Sequence, residues 1–286
     1  MARLFVSPEV ANNFVVHEYD EVARRSPEVN AAILADYEAG KVVCLKGWKL
    51  AYDSAFFASV ALENNRPAKK LKSWVDQEGT IEGKPLRKAL IQSGAPEHQA
   101  DRFVAQAESL ALQIAPVIDT IFAGMQFRER RFTWRMLETL HEDLHVDSYG
   151  EDKDDHLVRA FINLDIVPRL WHTSFSVEAL FDRYGDRLTD AEIAEGSPNS
   201  LIRLLSERVF GGMANAGFDR EPRHAAFFDP GDIWLVDSRK VSHQIMFGRR
   251  ALTVDYVAEA NSMARPALYY QNAVRDYCKR RTNAST

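Results

Sequence analysis

Cysteine is scarce in this chain: Cys44 and Cys278 are the only two among 286 residues. They stand far apart, so a disulfide framework is not expected and a reducing compartment is. Long apolar runs are also missing. None reaches the roughly 18 residues that a membrane-spanning helix requires. The stretch MARLFVSPEVANNFVVHEYDE turns polar and acidic too early for a secretory signal, which adds to the expectation of a cytoplasmic protein. Basic excess is absent, since 36 Lys and Arg face 41 Asp and Glu for a net charge of −5. General nucleic-acid binding is therefore not expected. No internal repeat or low-complexity segment is visible, which argues against a solenoid or a disordered tract.

What is present suits a globular enzyme-sized chain. Hydrophobic residues make up 46%, enough for a substantial core without disulfide staples. Three local basic clusters interrupt the acidic balance: Lys69-Lys70-Leu71-Lys72, Arg128 to Arg135, and Lys279-Arg280-Arg281. Such runs are either solvated surface or a contact for an anionic substrate.

Two textures divide the sequence. EVARRSPEVNAAILADYEAG has helical periodicity with a stop at Gly40, and KVVCLKGW after it reads as a strand. The longest helix is expected from Pro96 to Met125, with Leu110, Ile114, Ile118 and Ile121 on one face, Pro116 inside and Gly124 at its end. Beyond Phe127, FTWRMLETL, LVRAFINLDIV, DIWLVDS and ALTVDYVAE are short strand-like runs between turns such as Asp229-Pro230-Gly231-Asp232. That is the pattern of an antiparallel sandwich or barrel. SVEALFDRYGDRL and SLIRLLSERVFGGM break it with helical periodicity. The expectation is an α+β protein of one domain over 1–286. A mainly helical portion (1–126) supports a β-core (127–260), with a helical insertion at about 176–213 and a C-terminal helix in 261–286. No feature specifies an oligomeric state.

One cluster stands out among the histidines: His141, His145 and His156, close in sequence to Glu142, Asp143 and Asp147. It supports two incompatible readings. His141-Glu142-Asp143-Leu144-His145 matches HExxH, which on a helix would set two imidazoles on one face around zinc with Glu142 as base. Alternatively His145-Val146-Asp147 is H-x-D. In extended chain, residues two apart project to one side, so this pair needs only a distant histidine to form a 2-His-1-carboxylate triad. Downstream, FFDPGDIWLVDSRKVSH brings His243 to a strand, and Gly248-Arg249-Arg250 leads into the next. Taken singly, His141, His156, His172 and His224 read as satisfied polar residues, Asp143, Asp154 and Asp155 as a solvated acidic loop. Trp171 and Trp234 read as core anchors, and Cys44 as a buried, inert thiol.

The H-x-D pair, the strand-borne His243 and the basic turn together resemble the Fe(II)/2-oxoglutarate-dependent dioxygenases, whose core is a double-stranded β-helix of jelly-roll or cupin-like type. Several segments, among them TWRMLETLHEDLHVDSYGE, VRAFINLDIVPRLWHTSFSVEALF and RPALYYQNAVRDYCKRR, are similar to the Kdo (3-deoxy-D-manno-octulosonic acid) hydroxylase family. The resemblance implies a hydroxylase using Fe(II), 2-oxoglutarate and O2, with His145, Asp147 and His243 as metal ligands. It implies Arg249 or Arg250 as the clamp on the cosubstrate's distal carboxylate, with Arg159 or Arg169 as alternatives, and Asn163 near the cosubstrate. A carboxylate at Asp147 disfavours halogenation, because the family's halogenases lack it. The implied substrate is small or a glycolipid and anionic, such as the Kdo sugar of a lipopolysaccharide precursor, and the basic clusters would meet its charges or the inner-membrane surface. A free amino acid or a secondary metabolite is the alternative substrate. A zinc peptidase and a non-catalytic jelly-roll binding protein are the alternative classes.

Overall fold

The computed structural model describes residues 2–62, 71–148, 155–212 and 220–284. Lys69, Lys70, Asp154 and Met213 therefore lie outside the described residues. The N-terminal portion opens with two strands, β1 (Arg3–Phe5) and β2 (Phe14–Glu18), that have no strong sequence signal. Helix α1 (Pro27–Glu38) begins where Ser26 accepts a hydrogen bond from the Val29 N–H and Pro27 occupies the first turn. It stops at Gly40, whose φ of 78° suits a residue without a Cβ. Strand β3 (Val42–Lys46) follows as expected, then α2 (Ser54–Ser59), β4 (Leu71–Trp74) and α3 (Gly83–Gln92). The long helix α4 runs from Glu97 to Ile121, four residues short of the expected Met125, and it accommodates Pro116.

The second half is strand-rich. β5 (Phe127–Arg135), β6 (Thr139–Leu140), β7 (Asp155–Asn163) and β8 (Arg169–Ser176) precede the helical insertion. That insertion is three helices, α5 (Val177–Tyr184), α6 (Asp190–Glu195) and α7 (Pro198–Phe210). β9 (His224–Phe228), β10 (Ile233–Leu235), β11 (Val241–Gly248) and β12 (Ala251–Glu259) complete the strands, and α8 (Tyr270–Ala284) closes the described chain. Among the described residues no helix is long and apolar enough to cross a membrane.

The strands form two sheets. One has the order β1-β9-β8-β11-β6; the other has the order β2-β3-β10-β7-β12-β5-β4. Among the described strands only the β2–β3 pair is parallel. Strands β1 to β4 thus extend both sheets, and of these the sequence pattern pointed only to β3. Strand alternation decides which side chains go where. On the larger sheet Val158, Ile162, Leu252, Val254 and Trp134 share one apolar cluster with Phe103, Leu110, Ile114 and Ile118 of α4. The alternate residues Arg159, Phe161, Thr253 and Asp255 therefore project to the opposite face. There Phe161, Trp171, Phe228 and Trp234 form a separate aromatic cluster that also contains Cys44. Phe228 stacks on Trp234 at 3.8 Å, so both expected anchor tryptophans are core residues. Burial pushes the Cys44 thiol up to about 12, which leaves it uncharged and inert.

A third cluster joins α5, α7 and α8 through Leu180, Leu201, Leu205, Tyr270 and Val274. The Tyr270 hydroxyl donates to Asn199 at 2.7 Å, fixing the first turn of α7 against α8.

The basic clusters resolve largely into internal pairs. Arg130 meets Asp119 at 2.8 Å, Arg131 meets Glu129 at 2.5 Å, Arg280 meets Asp182 at 2.7 Å, and Arg281 meets Asp190 at 3.1 Å. Among the described residues these pairs offset much of the charge of the second and third clusters and give no support to the expected contact with an anionic membrane.

Candidate metal centre

After β6 the chain from His141 to Ser148 is irregular, and His141 has a φ of 56°. The HExxH reading needs a helix here, so the structure overturns it: His141 and His145 do not share a helical face. Instead His145 pairs with β11. Its N–H donates to the His243 carbonyl at 3.1 Å, and the His243 N–H returns a bond to the His145 carbonyl at 2.8 Å. Two residues on, the Asp147 N–H donates to the Ser238 carbonyl at 3.0 Å. The extended pairing puts His145 and Asp147 on one side, beside His243. Donor atoms of the three lie within 4.8 Å of one another.

Each donor is oriented by a neighbour. The Nδ1 of His145 faces the Asp143 carbonyl at 2.8 Å, and the Nδ1 of His243 faces the Val241 carbonyl at 3.2 Å. A carbonyl acceptor calls for the proton on Nδ1, which leaves each Nε2 lone pair for a metal. The Asp147 carboxylate is divided. Its Oδ2 accepts from Arg159 at 2.5 Å and from the Ser238 hydroxyl at 2.6 Å, while Oδ1 lies 3.4 Å from His145 Nε2. Trp171 stacks on the His243 ring at 5.5 Å and 22°, holding it from the core side.

The electrostatics also suit a cation. Burial disfavours a charged His145, but the hydrogen bond and charge of Asp147, with help from Asp143, outweigh it and raise the imidazole to about 9. Burial alone would raise Asp147; His145, Arg159 and His243 together bring it well below the usual carboxylate range. Burial, then the neighbouring His145, lowers His243 to about 4. An ionised carboxylate thus sits between one imidazole that attracts a proton and one that stays neutral, and a divalent ion can replace that proton. Two imidazoles and a carboxylate are the donor set expected for a non-haem iron centre with open positions.

The cosubstrate candidates separate. Arg249 is held bidentately by Asp165 at 2.7 and 2.8 Å, and Arg250 donates to the carbonyls of Met136 at 2.6 Å, Val60 at 2.7 Å and Phe57 at 3.2 Å. Both arginines brace the turn after β7 and the helical face. Neither is brought to the triad. Asn163 donates to the carbonyls of Val167 and Phe228, both at 2.9 Å, and its Oδ1 accepts from the Asp165 N–H, so it ties the β7–β8 turn together. Arg159 does reach the site, but through Asp147.

Arg169 differs from all of these. Its side chain is among the fully buried ones, and no hydrogen bond or ion pair reaches its guanidinium among the described residues. It lies on β8 two residues from Trp171 and on the same face, about 7 Å further along by strand geometry. A Cβ on Gly248 would stand 2.1 Å from its Nη1, so the glycine provides the space the guanidinium occupies. Burial and the charge of Arg135, against Glu142 and Asp165, lower Arg169 to about 9. Arg135 donates to the Thr253 hydroxyl on the neighbouring strand β12 at 3.3 Å. A buried cation without a counter-ion is costly, and an incoming carboxylate removes the cost.

On its outer side the triad borders a cavity of about 220 Å³, lined by Asp143, His145, Val146, Asp147 and Ser148 together with Arg203, Ser206 and Glu207 of α7. The α7 residues carried no sequence signal, because only packing of the insertion brings them here.

No family model matches the sequence and no curated protein is similar to it. Solved structures are. The chain shares the fold of a non-haem Fe(II) dioxygenase. Among the similar solved structures are those of the Kdo hydroxylase KdoO, described as a non-heme Fe(II) alphaketoglutarate dependent dioxygenase. Its cobalt(II) complex is 13% identical with a TM-score of 0.71, covering 94% of this chain and 96% of that one. Its complex with alphaketoglutarate and Fe(III) is 15% identical with a TM-score of 0.62 over the same shares. At this identity the likeness is one of fold.

Proposed function

We propose that this protein is an Fe(II)/2-oxoglutarate-dependent oxygenase that hydroxylates an unactivated C–H bond of a small anionic substrate, with the Kdo sugar of a lipopolysaccharide precursor as the candidate. The observation that carries this reading is the convergence of His145, Asp147 and His243 within 4.8 Å. The fold supports it. We read β5-β12-β7-β10 facing β6-β11-β8-β9 as the double-stranded β-helix that this enzyme class uses.

His145, Asp147 and His243 would hold the iron, which when bound with 2-oxoglutarate and O2 supplies the oxidising chemistry. The remaining work belongs to the chain. Arg159 and Ser238 keep one Asp147 oxygen occupied, so the other stays turned to the metal position. Trp171 fixes the His243 ring and, with Phe161, shields that side from water. Arg169, with Arg135 nearby, is assigned to the distal carboxylate of 2-oxoglutarate in place of Arg249, Arg250 or Arg159, because its donors alone lack partners. Asn163 supports the turn that leads to Arg169. The test is formation of succinate from 2-oxoglutarate by the purified protein, dependent on Fe(II) and O2 and abolished in His145→Ala or Asp147→Ala. Anaerobic titration with Fe(II) and 2-oxoglutarate should also produce a weak visible charge-transfer band. Neither band nor succinate would end this reading.

A further inference from the structure

Helix α7 brings three polar side chains to the cavity beside the triad, and two of them lack partners. Arg203 is exposed, and no hydrogen bond or ion pair engages it among the described residues. Ser206, one turn further along the same face, is only 6% exposed, yet its hydroxyl has no hydrogen-bond partner. A buried hydroxyl left unpaired costs free energy, and a ligand atom delivered to the cavity would remove that cost. The helix itself is a firm platform. Ser197 caps its start by accepting from the Ser200 N–H, Gly211 ends it at φ 81°, and its apolar side is built into the cluster with α8.

The same cavity carries acceptors. Glu207 follows Arg203 by four residues without forming an ion pair to it, and Asp143 lies beside His145 at 3.8 Å. One cation with a hydroxyl donor, set among carboxylates, matches a molecule that has both an anionic group and several hydroxyl groups. At about 220 Å³ the space is below the range of about 300–1,000 Å³ typical of drug-sized ligands, and it fits one sugar-sized unit.

We propose that Arg203 and Ser206 form the subsite for the carboxylate of a polyhydroxylated acid, with Glu207 and Asp143 accepting its hydroxyl protons. This deepens the reading above and rests on it for the reaction, but the binding claim stands apart from turnover. A charge-assisted Arg–carboxylate contact aligns the ligand against the triad and discriminates the acid from its neutral ester.

The experiment is saturation-transfer NMR on the full-length protein with added Zn(II), using Kdo and its methyl ester as probes. Wild type should bind Kdo about tenfold more tightly than the ester. Arg203→Gln should weaken Kdo about tenfold and leave the ester unchanged, with partial recovery in Arg203→Lys. Ser206→Ala should weaken Kdo about threefold. Kdo binding equal in wild type and Arg203→Gln, equal affinity for acid and ester, or no binding of either by wild type each overturns the proposal. Discrimination without succinate formation would leave this subsite standing and remove the oxygenase reading; succinate formation with no effect at Arg203 would do the reverse.

Discussion

Arg159 donates from Nη1 to the Asp147 carboxylate at 2.5 Å while its Nε holds Asp255 at 2.8 Å. Asp255 is in turn bound by the Thr133 hydroxyl at 2.8 Å. A triad carboxylate on an irregular segment is thereby tied to three strands of the larger sheet, β7, β12 and β5. The cation also keeps that carboxylate ionised.

Loss of this tie is expected to act on the metal before the fold. Arg159→Gln should lower metal affinity about 10- to 100-fold, the usual effect of removing a partner that orients a ligand. Calorimetric titration with Mn(II) measures it. Circular dichroism on the same sample should report an unchanged secondary structure. Unaltered affinity would mean that Arg159 does not position Asp147.

Arg169 makes the opposite kind of prediction, because a buried charge without a partner weakens the free protein. Arg169→Leu should leave the melting temperature of the cosubstrate-free protein unchanged or higher. Saturating 2-oxoglutarate, at about 100 times its dissociation constant, should stabilise wild type by about 2.7 kcal/mol and the variant not at all. Gly248→Ala should mimic the loss, since the added methyl would strike the guanidinium. A full stabilising shift in Arg169→Leu would return the clamp to one of the other arginines.

Glu142 separates the two metal chemistries that its segment suggested. Glu142→Gln should keep metal content and succinate formation within about threefold, since its backbone makes the contacts that matter: its N–H donates to Ile245, and its carbonyl accepts from Gln244. Asp147→Ala and His243→Ala should co-purify with little metal, as measured by plasma mass spectrometry. A dead Glu142→Gln with bound zinc would revive the peptidase reading.

His156 governs part of the acid response. It is buried against Tyr37, with Nδ1 3.7 Å from Asp237, and neither ring nitrogen has a hydrogen-bond partner. It is therefore not the satisfied polar residue expected of an isolated histidine. Burial, with Arg239 and Lys240 against Asp237, lowers it to about 3 from an ordinary value of 6.5. Below pH 6.5 the unfolded chain takes a proton that the native state refuses. Stability is complete above that point and falls with pH until about pH 3, by up to about 1.4 kcal/mol per pH unit. Urea unfolding of the metal-free protein between pH 7 and pH 4.5 should show a shallower fall in His156→Phe. Parallel curves would place the titrating group elsewhere.

Much of the scaffold was legible in local patterns. The helix at 97–121, the strand at 42–46, the helical insertion and the strands from Phe127 onward all follow from periodicity, caps and turn residues. The strands β1, β2 and β4 were not, because three to five residues of mixed polarity carry too little pattern to outweigh their neighbours. For the candidate site, H-x-D and a strand-borne histidine named the residues the structure brings together. The same window also spelled HExxH, and local sequence does not decide between them.

That choice belonged to the tertiary structure. Pairing of His145 with His243 makes the segment extended and turns a helical motif into a two-residue one. Arginine roles were decided in the same way. Arg159, Arg169, Arg249 and Arg250 are chemically alike in sequence, and they differ only in what surrounds each guanidinium after folding. Sequence by itself determined composition, element types and the ligand residues within reach of one another, because those depend on neighbours along the chain. Which cation holds a carboxylate, which stays buried without one, and which helix reaches the cavity depend on contacts between residues far apart in the chain, 96 positions for Arg159 and Asp255 and 193 for Arg250 and Phe57. Only the folded chain brings these together.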